Sequence, residues 1–209
     1  MRNVRRALCA LLLALPFCGM AQADIIASWQ SVPMPPPPEL KTFTVTDPGH
    51  TALLLLDFDT STCNSKERPT CVASLPYVAN LLSKSREANL MIVYSLTSTG
   101  TLAAVPPDIA AKGGETVVQS GVDKFFKTNL EQMLKDKGIQ TVILVGTSAE
   151  GLVTYTGGEA ALRGYNVVVP VDGMASVEAF AEQYVAWHMT HAPIISPKVT
   201  LTRTDMIKF

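Results

Sequence analysis

Four short apolar runs constrain most strongly what this chain can fold into: TALLLLDFD from Thr51, LMIVYSL from Leu90, IQTVILVG from Ile139 and YNVVVPVD from Tyr165. Each is nearly continuous rather than alternating, the pattern of a strand covered on both faces. The segments between them have another period. In VASLPYVANLLSKSREAN, residues 72–89, positions Val72, Leu75, Val78, Ala79 and Leu82 recur at helical spacing. FFKTNLEQMLKDKG, residues 125–138, reads as a helix stopped by Gly138, and another is expected over 150–163 before Gly164. A last helix is expected over 176–191, and VTLTRTDMI, residues 199–207, as an edge strand. Strands alternating with helices predict an α/β fold: a three-layer α/β/α sandwich around a mostly parallel, Rossmann-like sheet.

The amino-terminal segment does not belong to that pattern. MRNVRRALCALLLALPFCGMAQA combines Arg2, Arg5 and Arg6 with a short apolar stretch and a small-x-small end, the signature of a secretory signal peptide over residues 1–23 cleaved after Ala23. Its apolar stretch is shorter than the roughly 20 residues of a spanning helix. A lipid attachment at Cys18 is disfavoured by the bulky Phe17 before it. Residues 24–50 contain VPMPPPPEL, which cannot join a helix and is expected to run as an extended, Pro-rich arm. Residues 51–209 are then one domain. The expected location is periplasmic or secreted.

Signal removal takes Cys9 and Cys18 with it and leaves Cys63 and Cys71, flanking the polar loop NSKERPT. In an oxidising compartment the two are expected to form a disulfide. A reactive thiol pair is the alternative, but the spacing is neither CxxC nor a zinc pattern. A formal net charge of −1 and the absence of basic runs after residue 23 argue against nucleic acid and anionic membrane as partners. A small-molecule ligand or substrate is expected, and a homo-oligomer is left open.

In parallel α/β sheets, ligands bind beyond the carboxyl ends of the strands. That rule nominates Asp57, Asp59, Ser95, Thr97, Thr147, Ser148, Glu150 and Asp172. Residues 97–118, with Pro106-Pro107 and Gly113-Gly114, read as a long loop that can wall such a site.

The runs LLLLDFD, FFKTNLEQMLKDKGIQTVILVG and VGTSAEGLVTYTGGEAALRGYNVVVPVD resemble the isochorismatase-like hydrolases, the cysteine hydrolase superfamily. The last run is similar to the family's G-x5-C-V-x2-T-x3-A-x3-G-Y pattern, matching it at Gly146, Thr156, Ala160 and Gly164-Tyr165. The resemblance implies an Asp that takes a proton from a thiol, a Lys that supports charge, and a Cys that attacks an amide or related carbon while backbone N–H groups hold the oxyanion. Asp57 matches the Asp. The Cys position is Leu152, and counting back from Phe125-Phe126 puts Gln119 at the Lys position, with Lys124 as the alternative source of charge. Cysteine-dependent amidase chemistry is therefore not expected. Family members that cleave the vinyl ether of isochorismate work without a cysteine nucleophile, and the resemblance implies proton delivery from Asp57 instead.

The expected catalytic residues are thus Asp57, Lys124 and Gln119, and the expected substrate-binding residues Asp59, Thr147, Ser148, Glu150 and Leu152. Each has a structural counterpart. Asp59 can cap a loop or bind Ser61, Ser148 and Glu150 can be a helix cap and a first-turn acid, and Asp123 and Lys124 can be an N-cap and a surface residue ahead of a core of Phe125, Phe126 and Leu130. His50, His188 and His191 supply no third ligand, so no metal and no cofactor are expected. Two functions stay open: a hydrolase working from Asp57, or a catalytically inactive small-molecule-binding protein of the same fold. A scaffold whose Pro-rich arm makes protein contacts is a weaker third.

Overall fold

The computed structural model describes residues 24–209. The expected signal peptide, its cleavage after Ala23, and Cys9 and Cys18 lie outside the described residues. Residues 24–36 lie outside the main unit, which runs from Pro37 to Phe209, and contain one 3-10 turn, Trp29–Ser31. The proline tract carries neither helix nor strand, as a segment with fixed φ and missing donors requires. From Pro37 the chain belongs to the main unit. The expected arm over 24–50 is corrected there: β1, Phe43–Thr44, pairs in parallel with β9, Ile207–Lys208, and Val45 is buried.

The expected runs become the centre of a parallel sheet. β2 is Thr51–Leu56, β3 Met91–Leu96, β4 Thr116–Gln119, β5 Thr141–Thr147, β6 Asn166–Pro170, β7 Met174–Ala175 and β8 Val199–Thr202. Their order is β4-β3-β2-β5-β6-β8, with β7 on β5, and every pairing is parallel. Alternate side chains of one strand enter different cores, as a period of two demands. Ala52, Leu54 and Leu56 meet Leu130 and Leu134 of α2, Leu130–Asp136, Ala160 and Ala161 of α3, Thr154–Leu162, and Val185 and Met189 of α4, Ala179–His191. Leu53 and Leu55 face the other way, toward Cys71, Val78, Leu81 and Leu82 of α1, Pro69–Glu87. One helix covers one face and three cover the other, which makes the three-layer α/β/α sandwich.

Several boundaries differ from the sequence reading. α1 begins at Pro69 and buries Cys71, Ser74, Val78, Leu81, Leu82 and Ser85, so Val72 points to solvent rather than inward. Pro69 supplies the reason, because a proline is pre-organised for the first helical position. The expected loop 97–118 contains two 3-10 turns and ends in β4. The expected helix 125–138 is helical only from Leu130; residues 121–129 form an irregular strap, in which Phe125 is buried and Phe126 exposed. The expected helix 150–163 opens as a π-helical turn, Ala149–Val153, before α3, and the last helix starts at Ala179 rather than residue 176. VTLTRTDMI splits into β8 and β9, which lie in different sheets, separated by a 3-10 turn at Thr204–Met206.

Candidate active site

β2 ends at Leu56, and the next residue takes a left-handed backbone, Asp57 with φ 52°. That conformation costs an L-residue roughly 1–2 kcal/mol, least for Asn and Asp, so the backbone around it must hold it. The Asp57 N–H donates to the Ser95 carbonyl (3.2 Å) and lies 3.2 Å from Ser95 Oγ, while its carbonyl accepts from the Asp59 N–H (3.0 Å) and from Thr62 Oγ1. Gly146 at the end of β5 lets this corner close up, because a Cβ there would overlap the Leu56 carbonyl.

The turn aims the Asp57 carboxyl inward. Ser95 Oγ donates to Oδ1 (2.7 Å), and Lys124 Nζ sits 2.9 Å from Oδ1 and 3.0 Å from Oδ2. The same ammonium donates to the Leu96 carbonyl (3.2 Å) and the Ser120 carbonyl (3.1 Å). Asp57 is 2% exposed and Lys124 0%. Burial raises the Asp57 pKa; Ser95 and Lys124 oppose that rise and the nearby Asp59 adds to it. Burial lowers the Lys124 pKa against the pull of Asp57. Both directions favour the neutral forms, because burial disfavours a charge on either group.

The strap 121–129 holds the lysine in place. The Lys124 N–H donates to Thr156 Oγ1 (3.3 Å), and that hydroxyl donates to the Val122 carbonyl (3.2 Å), tying the strap to α3. Asp123 Oδ1 accepts from the Phe125 N–H (2.8 Å), a local turn contact rather than the expected helix N-cap. Lys124 as a surface residue and Phe126 as core are both reversed by the structure. The strap is too irregular to follow a helical period, so its side chains do not alternate as the sequence suggested.

Gln119 does not face Asp57. It lies at the exposed end of β4, where Nε2 donates to the carbonyls of Thr97 (2.9 Å) and Gly100 (3.0 Å). Asp59 is buried, and its Oδ1 accepts from the Ser61 N–H (2.8 Å), Ser61 Oγ (2.5 Å) and the Thr62 N–H (3.1 Å), so it serves its own loop. Its Oδ2 has no partner. Thr147 is buried with its hydroxyl unpartnered, and Ser148 starts the π-helical turn without a side-chain cap. Glu150 is more than a first-turn acid: Oε2 accepts from Ser176 Oγ (2.6 Å). Leu152 is 7% exposed and belongs to the core that holds Val118 and Phe125. Asp172 is drawn away to Thr204, whose N–H and Oγ1 both donate to it at 2.8 Å.

The structure therefore brings together Asp57, Ser95 and Lys124, with Asp59 next to them. The carbonyls of Leu96 and Ser120 and the hydroxyls of Thr62 and Thr156 also hold the site, and the sequence reading assigned none of these a role. Backbone acceptors carry no sequence signal, and both threonines act across loops. Among the described residues no group of three or more His, Cys, Asp or Glu side chains is gathered as a metal site, and no helix is long and apolar enough to cross a membrane. Cys63 and Cys71 are joined, with a Cα–Cα distance of 5.4 Å.

Residues 51–198 match the model of the isochorismatase domain. A secreted isochorismatase effector of Verticillium dahliae is 34% identical over 113 residues, 49% of this chain and 60% of that relative, so the chain spans about three fifths of its length. The maleamate amidohydrolase of Pseudomonas putida is 25% identical over 146 residues, 56% of this chain and 68% of the relative. Among solved structures, an isochorismatase-like hydrolase from Alkaliphilus metalliredigens superposes with a TM-score of 0.67 at 22% identity, covering 74% of this chain and 95% of that one. The N-carbamoylsarcosine amidase of Thermoplasma acidophilum gives 0.63 at 21% identity, over 74% and 96%. At these identities the structural likeness is one of fold.

Proposed function

The chain belongs to the isochorismatase family, and from that premise we propose that it hydrolyses a small molecule by acid/base chemistry centred on Asp57, without a cysteine nucleophile. The observation that carries this reading is the buried set of Asp57, Lys124 and Ser95; the strand-to-helix turn carries Leu152, which the resemblance aligns with the family's nucleophile. An amide needs an attacking atom that leucine lacks. A vinyl ether needs only a proton donor and water.

In the proposed reaction the Asp57 carboxyl, kept protonated longer than usual by burial, gives its proton to the terminal vinyl carbon. Water adds to the resulting oxocarbenium carbon, the hemiketal separates into a carbonyl compound and an alcohol, and the proton lost by water returns to Asp57. Lys124 and Ser95 stabilise the carboxylate left by the first step, at distances already set in the fold. The first N–H groups of the π-helical turn, which a helix start leaves without internal partners, are available to an anionic part of the substrate. We assign the processed chain to the periplasm or the exterior; the joined cysteines and the secreted relative support that assignment.

One observation favours a second reading, in which the protein binds a ligand without turning it over. All three donors of Lys124 are already used, by Asp57 and the carbonyls of Leu96 and Ser120. The two readings separate on the purified chain from Asp24 onward, offered isochorismate, maleamate and N-carbamoylsarcosine. The hydrolase reading expects turnover of the vinyl ether alone, lowered by roughly 10²–10⁴-fold in a folded Asp57→Asn variant. Thermal stabilisation by one of these compounds with no turnover supports the binding reading. Equal rates in wild type and Asp57→Asn would sink the role of Asp57.

A further inference from the structure

The Asp57 carbonyl leads to a feature that the acid/base reading does not use. Thr62 Oγ1 donates to it, and Thr62 is followed by Cys63, whose N–H donates to the Asp59 carbonyl (2.7 Å). Arg68 Nη1 holds the Thr62 carbonyl from the other side (2.8 Å). The loop then returns through the Cys63–Cys71 bond to the first turn of α1. Cys71 is 0% exposed and lies in the core with Phe58, Val78 and Leu81. A covalent path therefore runs from the fixed helix to the residue that clamps Asp57.

We propose that Thr62 is a positioning residue for Asp57, and that the Cys63–Cys71 disulfide, by fixing the loop that carries Thr62, makes the geometry of the Asp57–Lys124–Ser95 set depend on oxidation of the chain. The need for a clamp comes from the left-handed Asp57 backbone, a conformation that is costly for an L-residue and is held here by bonds on both sides. Ser95 supplies the bonds on the amide side, and Asp59 and Thr62 those on the carbonyl side. Thr62 is the only one of these whose neighbour in sequence is covalently tied to a helix. Ser61 and Thr62 also occupy Asp59 Oδ1, so the clamp sets the second carboxylate near Asp57 as well. Releasing the loop admits water to the Asp57 carboxyl while Lys124, held by the strap, stays beside it, so the relief of burial is what the carboxyl feels. This inference rests on Asp57 being the working acid, but its geometry does not.

The test reads the Asp57 carboxyl directly and needs no substrate. In full-length processed protein labelled with ¹³C at aspartate carboxyls, the Asp57 signal is identified by its loss in Asp57→Asn and followed against pH. Thr62→Val, with the disulfide intact, is expected to lower the titration midpoint by about half a pH unit or more toward the ordinary carboxylate range. Thr62→Ser, which keeps the hydroxyl, is expected to restore it. A folded Cys63→Ala/Cys71→Ala double variant is expected to reproduce the Thr62→Val behaviour, and adding Thr62→Val to it is expected to change little more. A disulfide that merely staples the loop would lower the melting temperature and leave the Asp57 titration where it was. An unchanged midpoint in Thr62→Val, or in the folded cysteine-free chain, overturns the proposal. An unfolded cysteine-free chain overturns the disulfide's part in it, since the bond would then hold the domain rather than the site. Absence of turnover on every substrate would remove the proposed function without touching these outcomes.

Discussion

A lysine with no exposed surface must be neutralised where it lies, and Lys124 is met by Asp57 and the carbonyls of Leu96 and Ser120. Breaking such a pair from one side leaves the other charge stranded in low dielectric, typically at a cost of 3–5 kcal/mol. Lys124→Met is therefore expected to lose about 3 kcal/mol of stability near pH 7. The loss should shrink as the solution is made acidic. With its ammonium partner gone, the folded Asp57 pKa lies still further above the unfolded value than burial alone puts it. Stability from that group is complete below the unfolded carboxylate pKa and is lost as pH rises through the folded one. Urea unfolding of the variant at about pH 7 and about pH 4.5 checks this, and Asp57→Asn/Lys124→Met should be less damaged than Lys124→Met alone. Asp57 was legible because it follows an apolar run that could only be a buried strand. Its partner was legible only as one of two, Gln119 or Lys124, because they flank a β-strand end and an irregular strap, where spacing does not tell which side chain turns inward.

At the scale of elements, the strands were the readable part, since a strand buried on both faces has to be apolar throughout. Leu53 and Leu54 lie one position apart and face opposite helical layers, and the sequence shows both as leucine. Short and irregular elements were hidden for the same physical reason. β4 spans four residues beside a Gly-Gly pair, and the strap before α2 is held by side-chain bonds from Thr156 and Asp123 rather than by a period. Gly146 is the glycine on which the site depends most. It brings β5 against the end of β2, and a methyl group there would meet the Leu56 carbonyl, a backbone atom that cannot swing away. Gly146→Ala is expected to cost about 3 kcal/mol through overpacking, read as a lower urea midpoint at unchanged slope, and to disturb the Asp57 corner in the same step.

Across the whole molecule, a continuous parallel sheet carries two apolar cores, and the cysteine pair staples one edge of the second. The cysteines are separated by only 8 positions. Closing a loop of that length removes little chain entropy, so Cys63→Ala/Cys71→Ala is expected to lose about 2.5 kcal/mol and remain folded; urea unfolding followed by circular dichroism checks both parts. That the bond can be local in energy and still matter to the site follows from where its loop leads, to Thr62 and the Asp57 carbonyl. The amino-acid sequence by itself determined the alternation of strands and helices, the sheet's burial on both faces, the likeness to a family and the acid at the end of the first long strand. These are properties of periodicity and residue type, which are written along the chain. Only the tertiary structure decided that Lys124 rather than Gln119 meets Asp57, that Asp59 serves its own loop, that Glu150 bonds Ser176, and that a disulfide loop reaches back to the acid's backbone. Those contacts join residues far apart in sequence or turn on a single backbone dihedral, and neither leaves a repeat that a linear pattern can show.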